Sequence, residues 1–418
     1  MREMKDSGVQ WIGAIPVDWK VDNPKYHFTQ RKDRAKPGMV QLTASQKYGV
    51  ITQTEYMERT GANIVTVEKD FDILKLVRAG DFVIHMRSFQ GGLEYSEKTG
   101  STSSAYVMLI PHSTICEPRY YKWFFKSSNY IDALSSTSNL VRDGQAMRWA
   151  NFIQLPIPFP PASEQRRIAD FLDAKCAEID ALTADIQTQI DTLEQYKRSV
   201  ITETVTKGLN PNAEMKDSGI QWIGDMPAHW NVIRGKYILH YMQKPVREDD
   251  GVITCFRDGE VTLRSNRREE GFTMSDKEIG YQGIDVGDLV VHGMDGFAGS
   301  IGISDSRGKA SPVLNVLDTD QCKRYIMYYL RSMAYSDVFL ALATGIRVRS
   351  CDLRWNKLAE LSYPVPPLDE QNAIVKHIDS VLSKAEAVIA DKKAQLATLD
   401  EYKKSLIFEY VTGKKEVI

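Results

Sequence analysis

The stretch FPPASEQRRIADFL at Phe159–Leu172 opens a segment that closes with LEQYKRSVITETVTKG at Leu193–Gly208. Its two prolines disfavour helix, and Ser163 is a good N-cap because its hydroxyl can accept a hydrogen bond from a backbone N–H of the first turn. No proline or glycine follows until Gly208, a residue type suited to the left-handed position that ends many helices. The segment therefore predicts one helix of roughly 65–70 Å.

Apolar residues recur along this helix every seven positions, at Leu172, Ile179, Ile186, Leu193 and Val200. Leu182 and Tyr196 follow three places after two of them and are expected on the same face. This period predicts a coiled-coil seam, which needs a partner helix.

A second copy of the pattern lies in the same chain. PPLDEQ at Pro366–Gln371 repeats PPASEQ, with Asp369 as its expected N-cap, and LDEYKKSLIFEYVT repeats LEQYKRSVITETVT at 8 of 14 positions. Its apolar stripe comprises Ile378, Leu382, Ile389, Leu396, Leu399 and Leu406. Two near-copies in one chain favour an intramolecular antiparallel pair, with a homodimer seam as the alternative.

The repeat extends to the whole chain. MKDSGVQWIGAIPVDWKV at Met4–Val21 returns as MKDSGIQWIGDMPAHWNV at Met215–Val232, identical at 12 of 18 positions. Each half predicts an opening motif, a variable α+β region, a proline hinge and a long helix. We therefore expect globular domains at 1–158 and 209–363, and helical segments at 159–208 and 364–418.

Composition bounds the class of protein. The 418 residues carry a net charge of −2, with 43% hydrophobic and 26% charged residues, which is typical of a folded soluble chain. No apolar run reaches the roughly 20 residues of a membrane span, and the N-terminus does not resemble a secretory signal. The five cysteines and seven histidines show no zinc spacing, so we expect no metal site and a cytoplasmic location.

Active-site motifs fail in turn. The glycines of HGMDGFAGSIG at His292–Gly302 lack dinucleotide-binding spacing. GISDSRGK at Gly302–Lys309 has one residue too many between its glycines for a phosphate loop, and Ala310 stands where Ser or Thr would bind magnesium. The sequence therefore predicts no catalytic residues.

Cationic and amide side chains cluster in both variable regions. Arginine suits guanine edges, and asparagine or glutamine suits adenine edges, in a major groove. Such residues also commonly lie on solvated surfaces. The candidates for DNA contact are Arg31, Lys32, Arg34, Lys36, Gln46, Lys47, Arg87, Gln90, Arg257, Arg264, Arg267, Arg268, Arg347 and Arg349.

The paired, ordered motifs resemble the specificity (S) subunit of type I restriction–modification systems. The resemblance rests on two copies of MKDSG(V/I)QWIGxxPxxW and two of PPxxEQ followed by a long helix, and it spans essentially the whole chain. It implies an α+β fold with two pseudo-twofold-related target recognition domains, joined by two long antiparallel coiled-coil helices.

The resemblance also implies a non-catalytic role. Each domain would read one half of a bipartite asymmetric site in double-stranded DNA, and the helices would dock two modification (methyltransferase) subunits. S-adenosylmethionine, ATP and Mg²⁺ would act on those subunits and on restriction (translocase and nuclease) subunits, with no cofactor in this chain. The alternative from another class is a coiled-coil scaffold that binds protein and not DNA.

Overall fold

The computed structural model describes residues 2–64, 73–112, 114–137, 147–267, 279–342 and 353–417. The chain divides into two compact units. The first comprises residues up to Ile186 together with those from Ala394 onward, and the second comprises Gln187–Lys393. Each unit mixes strands and helices, so the expected α+β class is confirmed.

The first unit is built from short strands and mostly short helices. Its strands are Met4–Asp6 (β1), Ala14–Pro16 (β2), Lys20–Asp22 (β3), Phe28–Arg31 (β4), Leu42–Ser45 (β5), Gly49–Thr52 (β6), Lys75–Val77 (β7), Phe82–Ile84 (β8), Glu94–Tyr95 (β9), Gly100–Thr102 (β10), Val107–Pro111 (β11) and Ile157–Phe159 (β12). Its short helices are Gln53–Thr60 (α1), Ser88–Gly91 (α2), Pro118–Phe124 (α3), Ser128–Ser136 (α4) and Trp149–Phe152 (α5). The long helix Ala162–Lys207 (α6) begins in this unit and belongs to the second unit from Gln187 onward.

The second unit repeats this composition. Its strands are Met215–Asp217 (β13), Asp225–Pro227 (β14), Asn231–Arg234 (β15), His240–Met242 (β16), Ile253–Cys255 (β17), Val261–Leu263 (β18), Gln282–Ile284 (β19), Leu289–His292 (β20), Ile301–Ile303 (β21), Gly308–Ala310 (β22), Leu314–Asp318 (β23) and Ser362–Val365 (β24). Its shorter helices are Lys323–Tyr335 (α7), Val338–Ala341 (α8) and Trp355–Leu358 (α9). The long helix Leu368–Val411 (α10) begins in this unit and belongs to the first unit from Ala394 onward.

The two units share one strand topology. The first has an antiparallel four-stranded sheet in the order β4-β11-β8-β9, and the second has its counterpart in the order β16-β23-β20-β21. The flanking pairs also correspond, with β5-β6 matching β17-β18 and β7-β10 matching β19-β22. The variable regions therefore share a fold although their sequences differ.

Burial explains why β8 and β20 lie inside their sheets. Phe82, Val83 and Ile84 are fully buried, as are Leu289, Val290 and Val291. Continuous apolar runs of this kind suit strands covered on both faces. The two histidines that follow the runs, His85 and His292, thereby reach the same end of their respective sheets.

The core of each unit includes both long helices. In the first unit, Trp19 and Phe28 pack in one cluster with Leu172 of α6 and with Leu406 and Val411 of α10. In the second unit, Trp230 packs in one cluster with Val205 of α6 and Ile374 of α10. Each globular region is therefore closed by the start of one long helix and the end of the other.

Both helix pairs run antiparallel. In the first unit the rings of Phe171 and Tyr410 lie 4.4 Å apart, and Lys403 Nζ lies 2.5 Å from Asp180. In the second unit Gln189 accepts from Lys392, and Lys197 lies 3.3 Å from Glu386. Residue numbers rise on one helix as they fall on the other, as the sequence predicted.

The seam differs in detail from the prediction. Leu172, Ile179, Ile186, Ile378, Ile389 and Leu406 are buried, and Leu193, Val200, Leu382, Leu396 and Leu399 are partly buried. Leu182 and Tyr196 are 47% and 51% exposed, so their placement on the seam was wrong. A straight helix drifts by about 20° per heptad, and Cys176, Ile190 and Ile201 take buried positions instead.

The predicted N-caps were also wrong. α6 begins at Ala162, and the carbonyl of Pro161 already accepts from Gln165 N, so Ser163 lies inside the first turn. α10 likewise begins at Leu368, ahead of Asp369. The predicted C-terminus holds, because Gly208 follows the last helical residue with φ of +74°.

No helix in the described ranges is long and apolar enough to cross a bilayer.

The repeated Glu-Gln pair anchors each long helix to its own unit. Gln165 is fully buried, and its side chain accepts from Glu117 N and donates to the carbonyls of Ile115 and Pro160. Gln371 accepts from Cys322 N and donates to Pro366 O in the same way. The glutamine of the PPxxEQ motif therefore has a structural role, because it holds the start of each long helix against its own unit.

A buried tyrosine in each unit anchors the end of a long helix. The Tyr120 hydroxyl donates to Val411 O at 2.7 Å, and the Tyr325 hydroxyl lies 3.1 Å from Val205 O. Val411 and Val205 occupy matching places in the two helix repeats. The C-terminal ends of α10 and α6 therefore occupy equivalent positions in the two units.

Candidate nucleic-acid interface

The ends of two strands place most first-unit candidates at one edge of the sheet. Arg31 in β4 and Val83 in β8 both pair with Met108 of β11, so these two strands end at the same edge. The segments carrying Lys32, Arg34 and Lys36, and those carrying Arg87 and Gln90, leave the sheet there. We call this the recognition edge of the first unit.

The β5-β6 hairpin joins this edge through its turn. Gln46 donates from its side-chain amide to the carbonyl of Arg87 at 3.0 Å. The Arg87, Gln90 and Lys47 side chains are exposed, and the Arg87 guanidinium forms no hydrogen bond or ion pair with residues in the described ranges. A cation and amide groups therefore lie together on the surface, which suits base edges.

Arg31 has a different role from the one its residue type suggested. Its guanidinium binds Asp81 through two hydrogen bonds of 2.7 and 2.8 Å and also reaches Asp33. Its side chain is 9% exposed and that of Asp81 is 2% exposed. The hydrogen bonds to Asp81 raise the pKa of Arg31. This buried bidentate pair fixes the sheet edge and leaves no free guanidinium for a base.

The other basic residues before β5 are more accessible. Lys32 and Lys36 are exposed, and Arg34 is exposed while donating to Ile73 O at 2.9 Å. Lysines tolerate varied geometry and therefore suit phosphate contacts better than base reading.

The second unit holds its edge with a larger ion network. Lys244, which follows β16, binds Asp285 and Asp288 at 2.9 and 2.7 Å, and Arg307 binds Asp250 and Asp285. Asp288 corresponds to Asp81 in the repeated Gly-Asp turn before the buried strand. Hydrogen bonds from Lys244 and Arg307 lower the pKa of Asp285 to about 2.

The second-unit candidates are largely engaged with acidic groups. Arg257 lies 3.1 Å from Asp295, while Arg267 lies 2.8 and 2.9 Å from Asp258 and Glu260. The Arg267 guanidinium also lies over the Phe256 ring, and Arg264 donates to Thr254 Oγ1. Arg268, Arg347 and Arg349 lie outside the described residues and stay predictions.

Two histidines at matching positions were missed by the sequence reading. His85 Nδ1 accepts from Arg87 N at 3.3 Å, and His292 Nδ1 accepts from Asp295 N at 3.0 Å. Both side chains are largely buried, and burial lowers the pKa of His292. A histidine after each Gly-Asp strand was visible in the repeat (GDFVIH and GDLVVH), and each one shapes the loop that carries the edge residues.

Comparison with known proteins gives consistent matches. A family model described as a type I restriction modification DNA specificity domain matches residues 19–192. A Methanocaldococcus jannaschii protein named as the MjaX type I restriction enzyme specificity subunit is 23% identical, over 97% of this chain and 96% of that protein. The MjaVIII specificity subunit of the same organism is 22% identical, over 96% and 94%.

A solved structure supports the fold. A chain from a structural study of complex assembly and conformational transition of the type I R-M system matches with a TM-score of 0.66 at 14% identity. The match covers 96% of this chain and 99% of that one.

Proposed function

We propose that this chain is a member of the type I restriction–modification specificity subunits and selects the DNA sequence on which a methyltransferase complex acts, as its similarity to such subunits supports. Each unit reads one half of a bipartite, asymmetric site in double-stranded DNA. The observation that carries this proposal is the shared strand topology of the two units, whose matching hairpins and loops present different side chains.

The recognition edge of the first unit has chemistry suited to direct reading. Arg87 is exposed, and bidentate contact of an arginine with guanine is the commonest specific contact in a major groove. Gln46 and Gln90 offer amides of the kind that pair with adenine. The His85 contact and the Gln46 hydrogen bond hold the Arg87 loop in place, so little ordering is left to occur on binding.

The chain itself is proposed to be non-catalytic. Two modification subunits, which supply adenine methylation with S-adenosylmethionine, dock on the long helices. Restriction subunits supply ATP- and Mg²⁺-dependent translocation and cleavage. The exposed faces of α6 and α10 offer the surface for docking, since their apolar seams are covered within each unit.

The test is a comparison of methylated adenines across the host genome with and without this chain. The proposal predicts that one bipartite, asymmetric motif disappears with the chain and returns with its gene. A methylome that does not change when the chain is removed would contradict the proposal. A methylated motif that stays the same after the variable regions of the chain are exchanged would also contradict it.

A single variant refines the assignment. Arg87→Ala in the complete modification complex is expected to weaken binding by about 1–3 kcal/mol and to relax one position of the first half-site. Lys25→Ala is the control, because Lys25 is also an exposed cation but precedes β4, at the end of that strand remote from Arg31. The control is expected to change binding by less than about 0.5 kcal/mol.

A further inference from the structure

Each unit contains a surface cleft beside its hairpin turn. The first cleft has a volume of about 560 Å³ and lies between the β5-β6 hairpin, α1, α3 and the last turns of α10. The second has a volume of about 540 Å³ and lies between the residues after β17, α7 and both long helices. Lys403 and Ile407 in the first match Lys197 and Ile201 in the second through the helix repeat, so the clefts are counterparts.

The first cleft has a surplus of positive charge. Three carboxylates line it, at Glu55, Glu94 and Glu97. Six cationic side chains face them, from Lys47, Arg59, Lys98, Lys122, Lys126 and Lys403.

Ion pairs neutralise part of this charge. Lys126 binds the buried Glu94, while Lys98 and Arg59 share Glu55 at 2.8 and 2.5 Å. Lys122 lies 3.8 Å from the exposed Glu97, and Lys403 is paired with Asp180 outside the cleft. Lys47 lies over the Tyr48 ring and forms no ion pair with the described residues. About two cationic charges therefore remain without an opposing carboxylate.

The second cleft is balanced. Lys197, Arg198, Arg257 and Arg331 face Glu194, Asp258, Asp337 and Glu386. Lys197 is shared by Glu194 and Glu386 at 3.2 and 3.3 Å. The two clefts therefore share a place in the fold and differ in net charge.

The first cleft is continuous with the recognition edge. Gln46 and Lys47 line the cleft, and Gln46 also binds the Arg87 loop. Five of its six cations are lysines, which act as point charges and tolerate many approach directions. Contacts of that kind hold phosphates and carry no sequence information.

We propose that the first cleft binds phosphodiester groups of the DNA backbone next to the first half-site, and that the second cleft lacks this contact. This inference rests on the proposed function and deepens it. The first unit then makes more contacts with DNA phosphates than the second unit does. It therefore supplies the greater share of the salt-dependent binding of the complex to DNA.

The test uses the complete modification complex with this chain and a duplex carrying its full site. Lys98→Gln combined with Lys122→Gln removes two half-exposed charges and leaves no buried carboxylate unpaired, since Glu55 keeps Arg59 and Glu97 is exposed. Lys20→Gln with Lys25→Gln is the control of equal charge change, on exposed residues that do not line the cleft, the first in β3 and the second in the segment before β4. Affinity is measured from low to moderate KCl, and phosphate ethylation interference is mapped at one salt.

The cleft variant is expected to lower the slope of log K against log salt by one to two, following about 0.9 per lost phosphate contact. It should also lose interference at phosphates flanking the first half-site, while the control retains both properties. An unchanged slope, an equal loss in the control, or loss of a modification subunit from the complex would overturn the cleft proposal alone. A wild-type complex without preference for its site would overturn the proposed function and this inference together.

Discussion

The two units hold the same loop with different chemistry. In the first unit a neutral amide, Gln46, binds the carbonyl of Arg87 and leaves that guanidinium exposed. In the second unit an arginine makes the matching contact, because Arg257 binds Asp295 in the loop after β20. The strand topology is unchanged between them. The loop is therefore fixed by a neutral pair in one unit and by a charged pair in the other, and this difference decides how much positive charge stays available.

The largest expected effect comes from removing one unit altogether. A fragment of Met1–Asn212 retains the first globular region and α6 but lacks the end of α10 that Tyr120 binds. The end of α6 carries the matching valine, Val205. The α6 helix of a second copy can therefore take the place of α10 against Tyr120. We expect a homodimer that, with modification subunits, methylates a palindrome made of two copies of the first half-site.

Sedimentation and methylome mapping check this outcome. A shorter fragment ending at Thr192 lacks about the last four turns of α6, including Val205, and should stay monomeric. A stable monomer of the longer fragment, with no palindromic methylation, would show that the two helix ends are not interchangeable.

The paired Gly-Asp turns give the next effect. Asp81→Asn leaves the buried Arg31 with the exposed Asp33 alone, and should lower the free energy of unfolding of the first unit by about 3 kcal/mol. Asp288→Asn should cost the second unit about 1–2 kcal/mol, because Lys244 is more exposed and keeps Asp285. Hydrogen exchange of each sheet measures both values, and equal losses would contradict the comparison.

The opening tryptophans sharpen the comparison further. Trp19 and Trp230 are both fully buried, but Trp19 Nε1 donates to Glu164 at 2.9 Å. Trp230 Nε1 has no hydrogen-bond partner within the described chain. Trp19→Phe should therefore cost about 1–2 kcal/mol more in unfolding free energy than Trp230→Phe. Urea denaturation compares them, and the reverse order would show that packing outweighs the hydrogen bond.

Much of the fold could be predicted from the sequence because its determinants are local or repeated. The long helices follow from proline, glycine and apolar spacing, and Gly208 ends α6 as expected. The exact first residues of α6 and α10 could not be predicted. A proline carbonyl, from Pro161 or Pro367, accepts the hydrogen bond of the first turn, and the expected cap residues lie inside the helix. Leu182 was misplaced because a strict heptad ignores the drift of a straight helix.

The candidate interface was less predictable because its contacts are remote in sequence. Arg31 looks like any surface arginine until Asp81, fifty residues away, is brought beside it. Gln46 and Arg87 were separate candidates, and only the fold makes them neighbours. The charge surplus of the first cleft likewise depends on segments from the hairpin, α3 and α10 meeting in space.

Acid should lower the stability of the second unit slightly, through protonation of Asp285. The folded-state pKa of Asp285 is about 2, below the value of about 3.9 in an unfolded chain. Its stabilisation is therefore fully present above about pH 4 and is lost as the pH falls toward 2. Asp285→Asn should reduce the fall in stability over this window, measured by acid unfolding of the second sheet. An identical acid profile in the variant would show that the network does not act through this carboxylate.

The most direct test of independent reading is an exchange of residues 22–158 for the corresponding region of a relative with a different site. Methylome mapping of the chimera reads both half-sites at once. The account predicts that the first half of the motif changes to that of the donor while the second half is retained. Changes in both halves, or an unchanged motif, would contradict the claim that each unit reads its own half.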